Sequence, residues 1–228
     1  MAGVRVGTFW GFIDNKGRIV IKPLYRNVCS YRDGVARVED NNITKFIDKK
    51  GDILFSSPYS FIGEFSDGLA PFIDNNKFGY VNLKGKVIIK AEYDYGGSFK
   101  QNRAALYLGT TGGYVKSDGE WLNSNKYSHL SIFSEGLAYV ESRSFTGYIG
   151  LDGSEIFTTS FDYCYPFHNG CARVVKNGKQ GFINQSGEIK IPLTWDLAKN
   201  FSNNYTTVIL NGSSAIIDSS NKKIWINK

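Results

Sequence analysis

The sequence predicts an all-β fold of seven tandem 34-residue antiparallel β-meanders, closed as a seven-bladed β-propeller or, as the alternative, strung into an open β-repeat superhelix or solenoid. Three observations predict it. A glycine recurs at Gly17, Gly51, Gly85, Gly119, Gly153 and Gly187, always 34 residues apart, and Asn221 holds the next place. A second column at the same step runs Gly34, Gly68, Asn102, Gly136, Gly170 and Asn204. Aromatics make up 15% of the chain and glycine supplies 25 residues, the mixture of strand formers and turn punctuation that an all-β array uses. A fixed period between about 20 and 50 residues marks a repeat architecture.

Each element follows from local chemistry. Both turn columns accept only Gly or Asn, the residues that tolerate a positive φ, so both read as left-handed turn positions. The segment Gly11–Asp14 and its copies at Gly79, Gly113, Gly147 and Gly181 form one strand. An Asp-x-x-Gly or Asn-x-x-Gly turn joins it to an apolar β-branched strand, Ile19–Ile21 in the first copy, as a hairpin built on type I geometry. The preceding strand follows the second turn column, as in Val35–Val38 and Leu137–Val140, and alternates small-apolar with polar or larger residues, which suits one buried face. A fourth extended piece, near Tyr25–Tyr31, is short enough to be a helical turn instead. Two aromatic columns, Tyr31, Phe65, Phe99, Phe133, Phe167, Phe201 and Tyr25, Tyr59, Tyr93, Tyr127, Phe161, Trp195, read as core.

The meander occurs seven times, so residues 1–228 read as a single repeat domain with hairpin turns at 17, 51, 85, 119, 153, 187 and 221. Invariant spacing and the apolar character of the last copy (Ile216, Ile217, Ile224, Trp225, Ile226) favour a ring over a capped solenoid, while 34 residues is short for a four-stranded blade.

The unit resembles the WG (KWG) repeat family. The resemblance rests on Trp10-Gly11-Phe12-Ile13-Asp14 with Gly17 and Pro23, on Tyr93-Asp94, and on Phe65–Ala70 and Phe133–Val140. It covers the whole chain. Tryptophan stands at the motif position only at Trp10, with Phe78 nearest to it in kind. The resemblance implies a bacterial repeat module of largely undefined biochemical role, and it carries over no catalytic residue.

The chemistry-bearing residues point away from catalysis. The two histidines, His129 and His168, fall at different places in different repeats, and no Gly-x-Ser-x-Gly elbow locates a nucleophile. Cys29, Cys164 and Cys171 lack CxxC spacing, which predicts reduced core thiols rather than a zinc site or a disulfide framework. Aspartates recur once per turn (Asp14, Asp48, Asp152, Asp218), as turn chemistry does, without the density of a calcium loop. The expectation is no cofactor, no metal and no enzyme activity; a hydrolase with a site in a central channel lacks the histidines and clustered carboxylates it would need.

No apolar run reaches the roughly 18 residues of a membrane span, and this chain shows no secretory leader, so the expectation is a cytoplasmic protein without a membrane span. A net charge of +6 without a basic block does not favour nucleic acid as partner. The charges are sorted, however. The hairpin turns of the first three repeats carry Lys16, Arg18, Lys49, Lys50, Lys84 and Lys86, and the last carries Lys222 and Lys223. Asp118, Glu120, Asp152, Glu155 and Glu188 occupy the intervening copies. Together with Trp10 and Phe78 as exposed contact points, the basic turns are the candidate partner-binding residues. The expected function is a monomeric, non-enzymatic scaffold for a protein or peptide partner. The alternative is a glycan or cell-envelope binding module, which requires the column Tyr25, Tyr59, Tyr93, Tyr127, Trp195 to be exposed for sugar stacking.

Overall fold

The computed structural model describes residues 1–226; the last two residues of the 1–228 repeat span lie outside the described residues. Every regular element is a β-strand, and among the described residues the strands form seven antiparallel sheets. The first has three strands, Ala2–Val6, Phe9–Ile13 and Ile19–Tyr25. Each later sheet adds a strand in front, two residues long except for the six of Tyr163–His168; the third sheet runs Phe61–Ile62, Leu69–Asp74, Lys77–Asn82 and Val87–Tyr93, in sequential order. The chain divides into two compact units, Met1–Gly109 with Val115–Trp121, and Thr110–Tyr114 with the residues from Leu122 onward.

The piece near Tyr25–Tyr31 is neither a full strand nor a helical turn. Its Tyr25 ends the outer strand of the first sheet, and Asn27–Val28 is a two-residue strand that opens the second. The outer strand is therefore longer than its apolar triplet suggested, reaching seven residues at Ile19–Tyr25, Val87–Tyr93 and Ile189–Trp195. The glycine of the Gly11–Asp14 strand makes that length possible. A Cβ on Gly11 would stand 2.4 Å from the Ile21 carbonyl oxygen, and the register shifts there between Trp10 and Phe12. The same bulge recurs at Gly79 and Gly181. Where Lys45 replaces the glycine the outer strand stops at Ser56, and beside Gly147 it stops as early, at Thr158, so the glycine permits the longer strand without imposing it.

Both predicted turn columns are left-handed, with φ of 77° at Gly17, 82° at Gly34, 59° at Asn102 and 66° at Asn221. In the second column the preceding residue is left-handed too (Asp33, Asp67, Gln101, Glu135, Asn169, Asn203), so these are two-residue type I′ turns. The hairpin turns are tied by their Asp or Asn. Asp14 Oδ1 accepts the amides of Lys16 at 2.8 Å and Arg18 at 3.0 Å, Asp48 does the same for Lys50 and Asp52, and Asn82 for Lys84 and Lys86.

The core lies between consecutive sheets and is aromatic. The column Tyr31, Phe65, Phe99, Phe133, Phe167, Phe201 is core, as expected, but its partner is a column not singled out from the sequence: Phe12, Phe46, Tyr80, Tyr114, Tyr148, Phe182, all fully buried. Their rings meet in six equivalent pairs, from Phe12–Tyr31 at 4.9 Å between centroids to Phe182–Phe201 at 4.8 Å, edge-on or tilted as the ring quadrupole prefers. Where the inner column is tyrosine, the buried hydroxyl donates to a carbonyl of the next sheet: Tyr80 to Gly97 at 2.5 Å, Tyr148 to Tyr165 at 2.8 Å, and Tyr114 to Ser131.

Candidate functional site

The candidate site is the edge formed by the first three hairpin turns and the outer strands they lead into, all within the first unit. The turns are neighbours because each glycine seats its turn on the outer strand of the preceding sheet. A Cβ on Gly51 would lie 3.4 Å from the Ile21 side chain, and one on Gly85 would lie 2.7 Å from the Phe55 ring. The three basic turns thus follow one another across three sheets.

All six predicted basic side chains of these turns are exposed. They are not equivalent. The Arg18 guanidinium pairs with Asp14 at 2.7 Å, so its charge is answered within its own turn. Among the described residues, Lys16, Lys49, Lys50, Lys84 and Lys86 enter no ion pair. One carboxylate, Asp52, stands exposed in the second turn and lowers its net charge. Asp48 is fully engaged: the amides of Asp52 and Lys50 hold its carboxyl below the usual carboxylate range. Beside the lysines the outer strands present apolar residues to solvent: Ile19, Val20, Ile53, Leu54 and Val87. The combination is a stripe of unpaired ammonium groups along exposed β-branched and aliphatic side chains.

In the last turn, in the second unit, Lys222 is exposed and the Lys223 ammonium lies 5.7 Å from the Trp195 ring centroid. The acidic copies are partly neutralised locally, by Lys116–Glu120 at 2.5 Å and Lys126–Glu155 at 3.1 Å.

Trp10 and Phe78 are not the exposed contact points expected. Both are half-buried on middle strands, opposite Tyr25 and Tyr93 respectively. The Phe78 ring lies 5.7 Å from that of Tyr95 in the next sheet, and it is Tyr95, 54% exposed, that meets solvent. Tyr95 belongs to a column that sequence reading passed over, Asn27, Phe61, Tyr95, His129, Tyr163, Leu197, on the short leading strands; Phe61 and Tyr163 are exposed as well. Its recurrence at the 34-residue step was the available signal.

The column proposed for sugar stacking is not exposed. Tyr25, Tyr127 and Trp195 are buried and Tyr59 and Tyr93 half-buried; four of the five end an outer strand, and Tyr59 follows one that stops at Ser56. The glycan reading therefore loses the aromatics on which it rested.

A polar cavity of about 290 Å³ is lined by Asn27, Cys29, Arg37, Glu39 and Thr44. Its guanidinium is spent on Cys29 Sγ at 3.2 Å and the Ile62 carbonyl at 3.0 Å. Burial pushes the Cys164 thiol up to about 11 and raises Cys171 as well, so neither is a thiolate near neutrality. Among the described residues no group of three or more His, Cys, Asp or Glu is placed to hold a metal ion. No helix among the described residues is long and apolar enough to cross a membrane.

The WG-containing repeat matches residues 10–42, 46–78, 78–109, 147–179 and 181–213, well over half of the chain. This chain belongs to the WG repeat family. No curated protein matches its sequence. Among solved structures, a eukaryotic initiation factor is similar at a TM-score of 0.65 with 11% identity, over 98% of this chain and 72% of that one. A KlHsv2 chain with loop 6CD replaced by a Gly-Ser linker is similar at 0.52 with 7% identity, over 97% and 91%. At such identities the likeness shows the fold alone. It is a likeness to β-propellers, the first of the two expected architectures, so this WG-repeat chain has an all-β, propeller-like fold. The WG glycine now has a physical role, as the residue that lets the outer strand bulge past the middle one.

Proposed function

We propose that this WG-repeat chain is a non-enzymatic scaffold that binds a protein or peptide partner through its basic hairpin-turn edge. One observation carries the reading: five lysines on three adjacent turns have no carboxylate partner among the described residues, beside exposed apolar outer strands. A surface that serves only solubility intersperses its signs and keeps apolar side chains scattered. This edge gathers both, which is how a partner of opposite charge is steered and then held. The repeated aromatic core supports the reading by holding the turns rigidly while their sequences vary.

The test is capture from the native lysate by the chain and by the quadruple variant Lys49→Glu, Lys50→Glu, Lys84→Glu, Lys86→Glu. Because all four side chains are exposed and unpaired, the variant is expected to melt within a few degrees of the parent while losing the captured protein. Capture of the same protein by both would show that the basic edge is not the binding surface.

A further inference from the structure

Sheets with open edges invite strand addition, and folded proteins guard them with charge, proline or short length. The outer strands of the first three sheets differ in this respect. Ile19–Tyr25 carries Lys22 and Pro23, and Val87–Tyr93 carries Lys90 and Glu92. Ile53–Ser56, guarded only by its four-residue length, reads Ile-Leu-Phe-Ser with neither charge nor proline, and Ser56 stands one repeat from Lys22 and one from Lys90. Its outer side has no neighbouring strand among the described residues. Its Ile53 and Leu54 are 56% and 40% exposed, while Phe55 turns inward to stack on Phe46 at 4.6 Å.

The ladder fixes which amides point outward. Ser57 donates its N–H to the Thr44 carbonyl at 2.8 Å, and antiparallel pairing alternates, so the Ser56 N–H faces away from its own sheet. Two basic turns flank this edge: its own, with Lys49 and Lys50, and the next, seated on Phe55 through Gly85 and carrying Lys84 and Lys86. The edge without charge or proline and the unpaired lysines coincide.

We propose that the partner docks as an extended acidic polypeptide segment that adds a strand to Ile53–Ser56. Its main chain takes up the outward amide of Ser56, its apolar side chains cover Ile53 and Leu54, and its carboxylates meet Lys49, Lys50, Lys84 and Lys86. Main-chain pairing supplies the affinity and the alternating side chains the selectivity, as in strand addition generally. This inference rests on the basic-edge reading and gives it a partner class and a binding mode.

The test is fluorescence anisotropy with the full chain and four labelled synthetic peptides: an alternating Glu-Val hexamer, the Lys-Val hexamer, and the Glu-Val hexamer N-methylated at alternate amides in each of the two registers. The acidic peptide is expected to bind at least tenfold more tightly than the basic one, less tightly as salt rises, and N-methylation along its pairing edge is expected to weaken it at least tenfold. Ser56→Pro, which removes the outward donor, is expected to abolish binding with little change in melting temperature. Equal binding of the acidic and basic hexamers, or undiminished binding of both N-methylated registers, would overturn the proposal; the peptide comparison needs no variant to fold. If Ser56→Pro still captures a lysate protein that the lysine-to-glutamate variant loses, the edge mode fails and the basic-edge reading stands.

Discussion

Trp195 shows how a repeated position tolerates an awkward residue. It occupies the column held elsewhere by Tyr25, Tyr59, Tyr93, Tyr127 and Phe161, and it is buried among Phe182, Ile191, Phe201 and Val208. Its indole N–H has no hydrogen-bond partner among the described residues. An unsatisfied buried donor costs about 1–3 kcal/mol, comparable to what the larger ring gains by burial. Trp195→Phe is therefore expected to stay within about 1 kcal/mol of the parent, because the lost area is offset by removal of the orphan donor. Phe182→Ala, which empties one ring of an edge-on pair, is expected to cost about 3–5 kcal/mol. Urea unfolding of the two variants checks the contrast; equal losses would show that the orphan N–H carries no penalty. The exposed lysines of the basic turns follow a different logic, since their removal changes charge and leaves packing alone.

At the scale of the element, the hairpin turn depends on its acceptor side chain. Asp14, Asp48, Asp152 and Asp218 take amide donors within their turns, and Asp94 and Asp196 hold Lys77 and Lys179 together with a loop amide. Backbone or side-chain hydrogen bonds hold all six acids below the ordinary aspartate range. A depressed folded-state value stabilises the fold above the unfolded value, and that contribution disappears as pH falls through the folded one. Melting temperature is accordingly expected to be flat down to about pH 5 and to fall below about pH 4. Asp48→Asn keeps the acceptor that Asn82 and Asn184 supply in their own turns, and is expected to shallow the acid slope without lowering stability at pH 7. Circular dichroism melts from pH 2.5 to 7 measure both effects; a midpoint unchanged between pH 5 and 3 would contradict the assignment.

Across the molecule, successive repeats are stitched by side chains that reach one repeat forward. Asp33 accepts the Gly68 amide at 2.8 Å and Asp67 the Asn102 amide at 2.7 Å in the first unit; Glu135 accepts those of Asn169 at 2.6 Å and Gly170 at 2.8 Å in the second. Ser66 and Ser134 add hydroxyl bonds to Phe99 and Phe167 carbonyls, both at 2.6 Å. In a repeat array such contacts are nearest-neighbour terms, so they should add. Asp33→Ala and Asp67→Ala are expected to cost about 1 kcal/mol each and about 2 kcal/mol together. Faster amide exchange at Gly68 and Asn102 in the respective variants would locate the loss. A double variant no weaker than either single one would refute the additive picture.

The repeat length, the left-handed turns and the aromatic character of the core were legible in the sequence because they are local or periodic. A positive φ selects Gly or Asn at one position, and a 34-residue step exposes the selection six times. The basic turns were legible for the same reason. What only the tertiary structure decided depends on neighbours distant in the chain. Arg18 and Lys16 look alike in sequence, yet the structure gives one a carboxylate and leaves the other free. The Tyr25 column reads as core, with sugar stacking as the alternative; the burial of Tyr25, Tyr127 and Trp195 decides for the core and removes the glycan reading. That Ile53–Ser56 lies at an open sheet edge follows from which side of which strand lacks a partner, a property of pairing between strands that no single strand's sequence contains.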